Sequence, residues 1–215
     1  LALAQRALAL EATHTGSLCL AGDMQIQLGG ITEALALYET ARELSQDHAT
    51  TYRANMGLAS GLRLTDDYQG ALEALRTAEQ AADSKAENLA EISFQRGNLY
   101  FPLGDIDACL AAHQAALEHA RVAGLSYLEA RAHGGMGDAW YMRGRVGTAH
   151  EAFDRCIALA ETREDAWLRA GNLCMRGVTR FYGNDLEGAW KDSEDCIIQA
   201  RRIGHRRAEI VARLA

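Results

Sequence analysis

A small residue recurs at nearly constant spacing along this chain of 215 residues. The recurring positions are 37, 38, 40 and 40 residues apart, and they are Ala34, Ala71, Cys109, Ala149 and Ala189. Around each of them, apolar residues follow the i, i+3, i+4 spacing of an amphipathic helix. Self-similarity at a period of roughly 20–50 residues is the signature of proteins built from stacked, similar units. The recurrence therefore predicts a series of helical units and disfavours a globule organised around one central core.

One stretch, GGMGDAWYMRGRVGTAHEAFDRCIALAE over residues 134–161, shows the unit in full. Its spacing predicts two helices joined by a tight turn at Gly144. Gly137 and Ala149 are small where two helices approach closely, whereas Trp140 and Phe153 are large enough to fill the gap between neighbouring units. The pattern G-x2-W, then a turn glycine, then A-x3-F resembles the tetratricopeptide repeat, a helix–turn–helix unit of about 34 residues.

The resemblance implies an all-α fold, a right-handed α-solenoid of about five tetratricopeptide-like helix pairs with a partial helix at each end. The composition agrees with it, because helix-forming residues dominate and only one proline is present. The predicted pairs cover residues 15–46, 48–83, 85–123, 125–163 and 165–203. Residues 1–13 are predicted to form an orphan second helix, and residues 205–215 to begin a further pair. No linker rich in Pro, Gly or Ser interrupts this order, which predicts a single array over residues 1–215.

Local signals refine the predicted helix ends. Asp105 and Asp185 are predicted to cap the starts of second helices, because their side-chain oxygens can accept from free backbone N–H groups. Ser126 and Glu129 match the spacing of a capping box. Pro102 is predicted in the last turn of its helix, where it would remove one backbone hydrogen bond and kink the helix. Because the chain starts at Leu1 rather than Met and both ends are incomplete units, it is interpreted as a fragment of a larger protein.

Charge and cysteine usage narrow the functional classes. The net charge of −7 disfavours nucleic acid as a partner, since a phosphate backbone must be met by a basic surface. The five cysteines form no C-x2-C pair and are odd in number, so they are interpreted as reduced core residues. No apolar run approaches the roughly 20 residues that span a bilayer. A cytoplasmic protein with neither a nucleic-acid nor a membrane partner is expected.

Catalytic and metal-binding motifs are missing from the sequence. The run Gly134-Gly135-Met136-Gly137 has no Lys-Ser/Thr after it and lies inside a predicted helix, so it does not indicate a phosphate loop. Asp105-Ile106-Asp107 lacks the later ligands of a calcium loop. The cluster Arg201, Arg202, Arg206 and Arg207 is interpreted as the polar side of a loop between units, in preference to the alternative of an anion or nucleic-acid site. We therefore predict no enzymatic activity, no catalytic residue, no cofactor and no metal.

The first helix of each pair is predicted to line a concave groove. Residues at 3-4-3 spacing share one helix face, and the opposite face packs on the second helix. This spacing places on the concave face Arg53, Arg63, Phe94, Asn98, Phe101, Arg131, Asp138, Tyr141 and Phe181. Aromatic side chains beside arginines favour capture of a peptide or a helix. In the alternative interpretation, the three phenylalanines only pack between units.

These observations lead to more than one functional hypothesis. The resemblance implies a non-enzymatic scaffold that binds a protein or peptide segment in its groove. The repeat length and the phrase GNLYFPLGDIDACLAAHQAALEHA also resemble the arrays of large bacterial signalling proteins, which would make this chain the sensor or regulatory arm beside an ATPase or adenylate-cyclase-like module. The alternative is a self-assembly module that dimerises through its terminal helices with no ligand in the groove. An enzyme or small-molecule sensor would need a closed polar pocket with perturbed ionisable groups, which the sequence does not indicate.

Overall fold

A computed structural model describes residues 13–214, and every regular element in that range is an α-helix. The helices in chain order are α1 Thr15–Leu28, α2 Ile31–Glu43, α3 His48–Leu64, α4 Tyr68–Gln80, α5 Ala86–Tyr100, α6 Ile106–Ala123, α7 Ser126–Met142, α8 Val146–Thr162, α9 Ala166–Tyr182, α10 Leu186–Ile203 and α11 Arg206–Leu214. The predicted all-α class is thereby confirmed for the described range. The helix predicted over residues 1–13 falls almost entirely on residues 1–12, which lie outside that range.

Two compact units divide the chain, residues 1–99 and residues 100–215. In the first unit, α1 packs on α2, α2 on α3, and α3 on α4. In the second unit, consecutive helices from α6 to α11 pack on each other in the same way. The first helix of a pair also meets the first helix of the next pair, as α1 does with α3 and α7 with α9. Helix pairs are therefore stacked both by these contacts and by the packing of each second helix on the first helix of the next pair.

In the core of the first unit, several small residues face the ring of Tyr38. Ala34 and Ala71 are fully buried, and Tyr38 is 2% exposed. The Tyr38 ring lies against Gly22 of its own pair and Gly57 of the next pair, and a Cβ on either glycine would overlap it. Close packing of this kind leaves no room for a methyl group, so the two glycines are required by contact.

The second unit repeats this arrangement with other side chains. The Phe153 ring lies against Gly137, and the His113 ring lies against Gly135. His113 is 2% exposed, and burial lowers the pKa of its imidazole from 6.5 to about 4. It therefore packs as a neutral ring in the place where the first pair has Tyr38 and the fourth has Phe153. The recurring small residues are buried here too, with Cys109 and Ala149 fully inaccessible and Ala189 8% exposed.

The turn inside each helix pair has one residue in the left-handed region. These residues, at φ between 60° and 84°, are Gly29, Asp66, Gly104, Gly144 and Asn184. The tight turn predicted at Gly144 is confirmed. The following helix starts as predicted at Asp105 and Asp185, whose carboxylates accept from the backbone N–H of Ala108 at 3.0 Å and Gly188 at 2.9 Å.

Two predicted helix signals are wrong. The capping box at Ser126 does not form, because α7 starts one residue earlier than the box requires and Leu125 occupies the N-cap position without a side-chain bond. The Ser126 hydroxyl instead accepts from Arg163 Nη1 at 2.9 Å. Pro102 kinks no helix, since α5 ends at Tyr100 and the proline lies in the turn that follows. A proline disfavours helical backbone at the preceding residue, which explains why the helix ends there.

Candidate partner-binding surface

In the first unit, the predicted groove residues lie on α3 and α5. Arg53 and Arg63 are exposed, Asn98 is half-buried, and Phe94 is 7% exposed. Phe94 is therefore mainly a packing residue, in line with the alternative interpretation of the phenylalanines. The exposed polar candidates of this unit are the two arginines.

Arg53 belongs to a three-residue network centred on Asp23 of α1. Its Nη2 lies 3.1 Å from Asp23 Oδ2, and the Tyr38 hydroxyl donates to Asp23 Oδ1 at 2.7 Å. Burial raises the pKa of the Tyr38 hydroxyl, and the bond to Asp23 raises it further. Asp23 thus has one cationic and one neutral donor, and it links the inner face of α1 and α3 to the core ring. Sequence analysis missed Asp23, although it lies at the same place in its helix as Asp138.

In the second unit, α7 presents Arg131, Asp138 and Tyr141 as half-buried residues on one face. Gly134 of the same face is buried beneath α9, where Asn172 Oδ1 would lie 2.7 Å from an added Cβ. The two first helices therefore approach closely at Gly134. Phe101 lies in the turn after α5 and is 36% exposed.

Asp138 has a distinctive environment among these residues. Within residues 13–214, its carboxylate has no hydrogen-bond donor and no cation within ion-pair distance. Burial raises the pKa of this carboxyl from 3.8 to about 6, and the positive charge of Arg207 on α11 opposes part of the rise. The Asp138 charge also contributes to the raised pKa of the Cys109 and Cys156 thiols on the flanking helices, after burial itself. The carboxylate is a partly buried charge whose cost is not offset by a local partner.

An aromatic cluster lies beyond Asp138, at the C-terminal ends of α7 and α9. The rings of Tyr141 and Tyr182 are 6.3 Å apart and tilted by 50°, and Phe181 meets Tyr182 edge-on at 5.7 Å. Phe181 and Tyr182 are 51% and 63% exposed. Such rings offer a large apolar surface with polar edges, which is the composition of protein-binding hot spots.

Phe181 also borders a groove of about 500 Å³ beside α10 and α11, which we call the C-terminal groove. Its other lining residues are Leu186, Ala189, Trp190, Ser193, Glu194, Ile197, Ala212 and Arg213. Trp190 is 71% exposed and Leu186 is 57% exposed. Sequence analysis missed this groove, although one signal was available. Trp190 replaces His150, which in the preceding pair is half-buried and bonded to Thr179 at 3.0 Å.

In the described part of the chain, no three His, Cys, Asp or Glu side chains converge as a metal-binding set. The five cysteines are free and buried. Between Thr15 and Leu214, no helix combines the length and apolar character needed to cross a bilayer.

Comparison with known proteins supplies the fold class. No protein-family model and no curated protein sequence matches the chain. Among solved structures, a Rap protein complexed with Competence and Sporulation Factor matches with a TM-score of 0.80 at 15% identity, covering 93% of this chain and 57% of its own. A signal transduction ATPase with a tetratricopeptide repeat sensor, from Pyrococcus horikoshii, matches with a TM-score of 0.81 at 15% identity, covering 97% of this chain and 33% of its own.

A third structure, YrrB, described as a tetratricopeptide repeat protein with an unusual peptide-binding site, matches at 17% identity with a TM-score of 0.55. It covers 97% of this chain and 95% of its own. The fold is thus the tetratricopeptide-like α-solenoid that the recurring small residues predict. The chain spans about half of the Rap protein and a third of the ATPase, and at these identities the likeness concerns the fold alone.

Proposed function

We propose that this chain is a non-catalytic scaffold that binds a protein or peptide segment on the inner faces of its first helices. One observation carries the proposal: α7 holds an unpartnered, partly buried carboxylate at Asp138, next to the half-buried ring of Tyr141 and the exposed ring of Tyr182. Uncompensated charge and exposed aromatic surface both lower stability, and they concentrate where a ligand completes the site. A Rap protein solved with Competence and Sporulation Factor and the peptide-binding site of YrrB support the same use of the fold.

The proposed setting is a bacterial signalling protein in the cytoplasm, in which this array is the sensor or regulatory arm. Support for the sensor-arm role comes from the tetratricopeptide repeat sensor of the Pyrococcus horikoshii ATPase, which has a similar fold. The net charge of −7 favours a protein partner over a nucleic acid. An adenylate-cyclase-like neighbouring module remains a prediction from the repeat length.

A selection experiment tests the scaffold proposal. A phage-displayed random dodecapeptide library is panned on the full chain, and enriched peptides are labelled and titrated by fluorescence anisotropy. We expect Tyr141→Ala to weaken binding about 10-fold or more, as for an interface hot spot, with circular dichroism showing an unchanged fold. Arg76→Ala on α4 is the matched control, because Arg76 is 65% exposed and lies away from the inner faces. Equal affinity of all three proteins for every enriched peptide would refute inner-face binding in the second unit.

A second candidate function is self-assembly through the C-terminal groove, with a second copy of the chain as the occupant. The observation favouring it is the exposure of Trp190 and Leu186 beside a groove of about 500 Å³. Exposed apolar side chains clustered beside a groove and rimmed by polar residues such as Glu194 and Arg213 suit a protein–protein contact. Sedimentation equilibrium over a range of concentrations tests it: we expect a dimer in the wild type and a monomer in Trp190→Glu. A wild-type mass equal to one chain at every concentration would eliminate this candidate.

A further inference from the structure

Asp138 and Asp23 occupy the same register position in their helix pairs. The separation between Asp23 and Ala34 equals that between Asp138 and Ala149. Each of the two aspartates also lies six residues before the left-handed turn glycine of its pair. In the first unit this position has two partners, Arg53 and the Tyr38 hydroxyl. The first unit therefore shows how the fold satisfies an aspartate at this place.

Both partners are absent from the second unit. The residue at the place of Tyr38 is Phe153, which has no hydroxyl to donate. The residue at the place of Arg53, sixth in α9 as Arg53 is sixth in α3, is Gly171. The aspartate carboxylate at this position therefore has two donors in the first unit and neither of them in the second.

Among residues 13–214, no other cation forms an ion pair with Asp138 in the place of the missing arginine. A Cβ on Gly171 would meet only His205 Nε2, at 3.3 Å, and His205 is held by stacking on Trp167 at 4.0 Å between ring centroids. Arg207 of α11 acts on Asp138 through its field alone, without an ion pair. Arg131 lies two turns away on α7 and has interactions of its own. Within the described range, Asp138 thus lacks the paired cation that Asp23 has in the first unit.

On the basis of the function proposed above, we infer that Asp138 is the specificity-determining contact for a lysine or arginine side chain of the bound segment. This cation takes the place that Arg53 has beside Asp23. The apolar stem of the incoming side chain passes the ring of Tyr141, which follows Asp138 by three residues on the same helix face. Neutralising a partly buried carboxylate recovers part of its desolvation cost, which gives the segment with a cation its advantage over one without.

Peptide selection on three proteins tests this assignment. The dodecapeptide library is panned in parallel on wild type, Asp138→Asn and Gly171→Arg. We expect lysine or arginine at a fixed position in the wild-type peptides, and no such preference on either variant, because the first lacks the carboxylate and the second supplies its own guanidinium. For an enriched peptide, changing the basic residue to glutamine should weaken wild-type binding about 10-fold and Asp138→Asn binding at most about 2-fold.

The outcomes separate the two levels of the proposal. Two results would overturn the cation assignment and leave inner-face binding in place. In the first, peptides bind Tyr141→Ala more weakly than wild type but show no preference for a basic residue. In the second, changing the basic residue of a peptide to glutamine weakens binding equally on wild type and on Asp138→Asn. A library that yields no peptide sensitive to Tyr141→Ala overturns both. Gly171→Glu is the matched control for Gly171→Arg, since it adds comparable bulk and should not replace the external cation.

Discussion

Replacing Asp138 by asparagine is expected to stabilise the protein at alkaline pH. The folded-state pKa of about 6 lies above the ordinary value of 3.8, so the folded protein binds this proton more tightly than the unfolded chain does. Protonated Asp138 therefore stabilises the folded protein fully below about pH 4, and this stabilisation is lost as the pH rises through 6. The difference of about two pKa units, at about 1.4 kcal/mol each, corresponds to a penalty of about 3 kcal/mol above pH 7.

Asparagine keeps the size of the side chain and removes the charge. The free energy of unfolding of Asp138→Asn should therefore exceed that of wild type by up to about 3 kcal/mol at pH 8 and equal it within error near pH 4. The measurement is urea unfolding followed by circular dichroism at pH 4, 6 and 8 and constant ionic strength. An unchanged urea m-value would show that the variant alters stability rather than the extent of unfolding.

Asp23→Asn is the matched comparison for this prediction. Asp23 has Arg53 and Tyr38 as partners, so its loss leaves two donors without a charged acceptor and should destabilise by about 1–2 kcal/mol at pH 8. The two substitutions are chemically identical at equivalent positions and are expected to have opposite signs. Destabilisation by Asp138→Asn at pH 8, or a gain independent of pH, would refute the conclusion that the Asp138 charge is uncompensated.

Three further substitutions test the surrounding structure. Gly171→Arg should raise the free energy of unfolding by about 1–2 kcal/mol at pH 8 and much less at pH 4, because the new guanidinium pairs only with ionised Asp138. Equal effects at both pH values in the same urea assay would contradict this pairing. Tyr38→Phe should cost about 1 kcal/mol through loss of the bond to Asp23, and a thermal melt identical to wild type would show that this bond contributes nothing. Trp140→Ala should lower the free energy of unfolding by about 2–3 kcal/mol. This is less than for a fully buried tryptophan, because Trp140 is only half-buried against Cys109 and Ala139. A decrease above about 5 kcal/mol would show that Trp140 has a larger role in packing.

Local sequence signals are sufficient to predict the helices and their repetition. Helix periodicity is local, and the small residues at Ala34, Ala71 and Ala149 recur because each must lie at a close approach between helices. The helices, the turn at Gly144 and the caps at Asp105 and Asp185 follow from interactions spanning a few residues. Ser126 and Pro102 were misjudged because a helix end also depends on where packing stops the helix, and that is not a local property.

Which side chains meet depends on how the helices pack in three dimensions. Sequence spacing places Phe94 and Asp138 on inner faces, yet Phe94 is buried by its neighbours while Asp138 is left as a charge without a partner. Likewise, periodicity could not distinguish Trp190, exposed beside the C-terminal groove, from the packing residues around it. The physical reason is that partners such as Asp23 and Arg53 are 30 residues apart and lie on different helices. Their distance is set by how those helices are rotated and shifted against each other, which the packing of the whole unit determines.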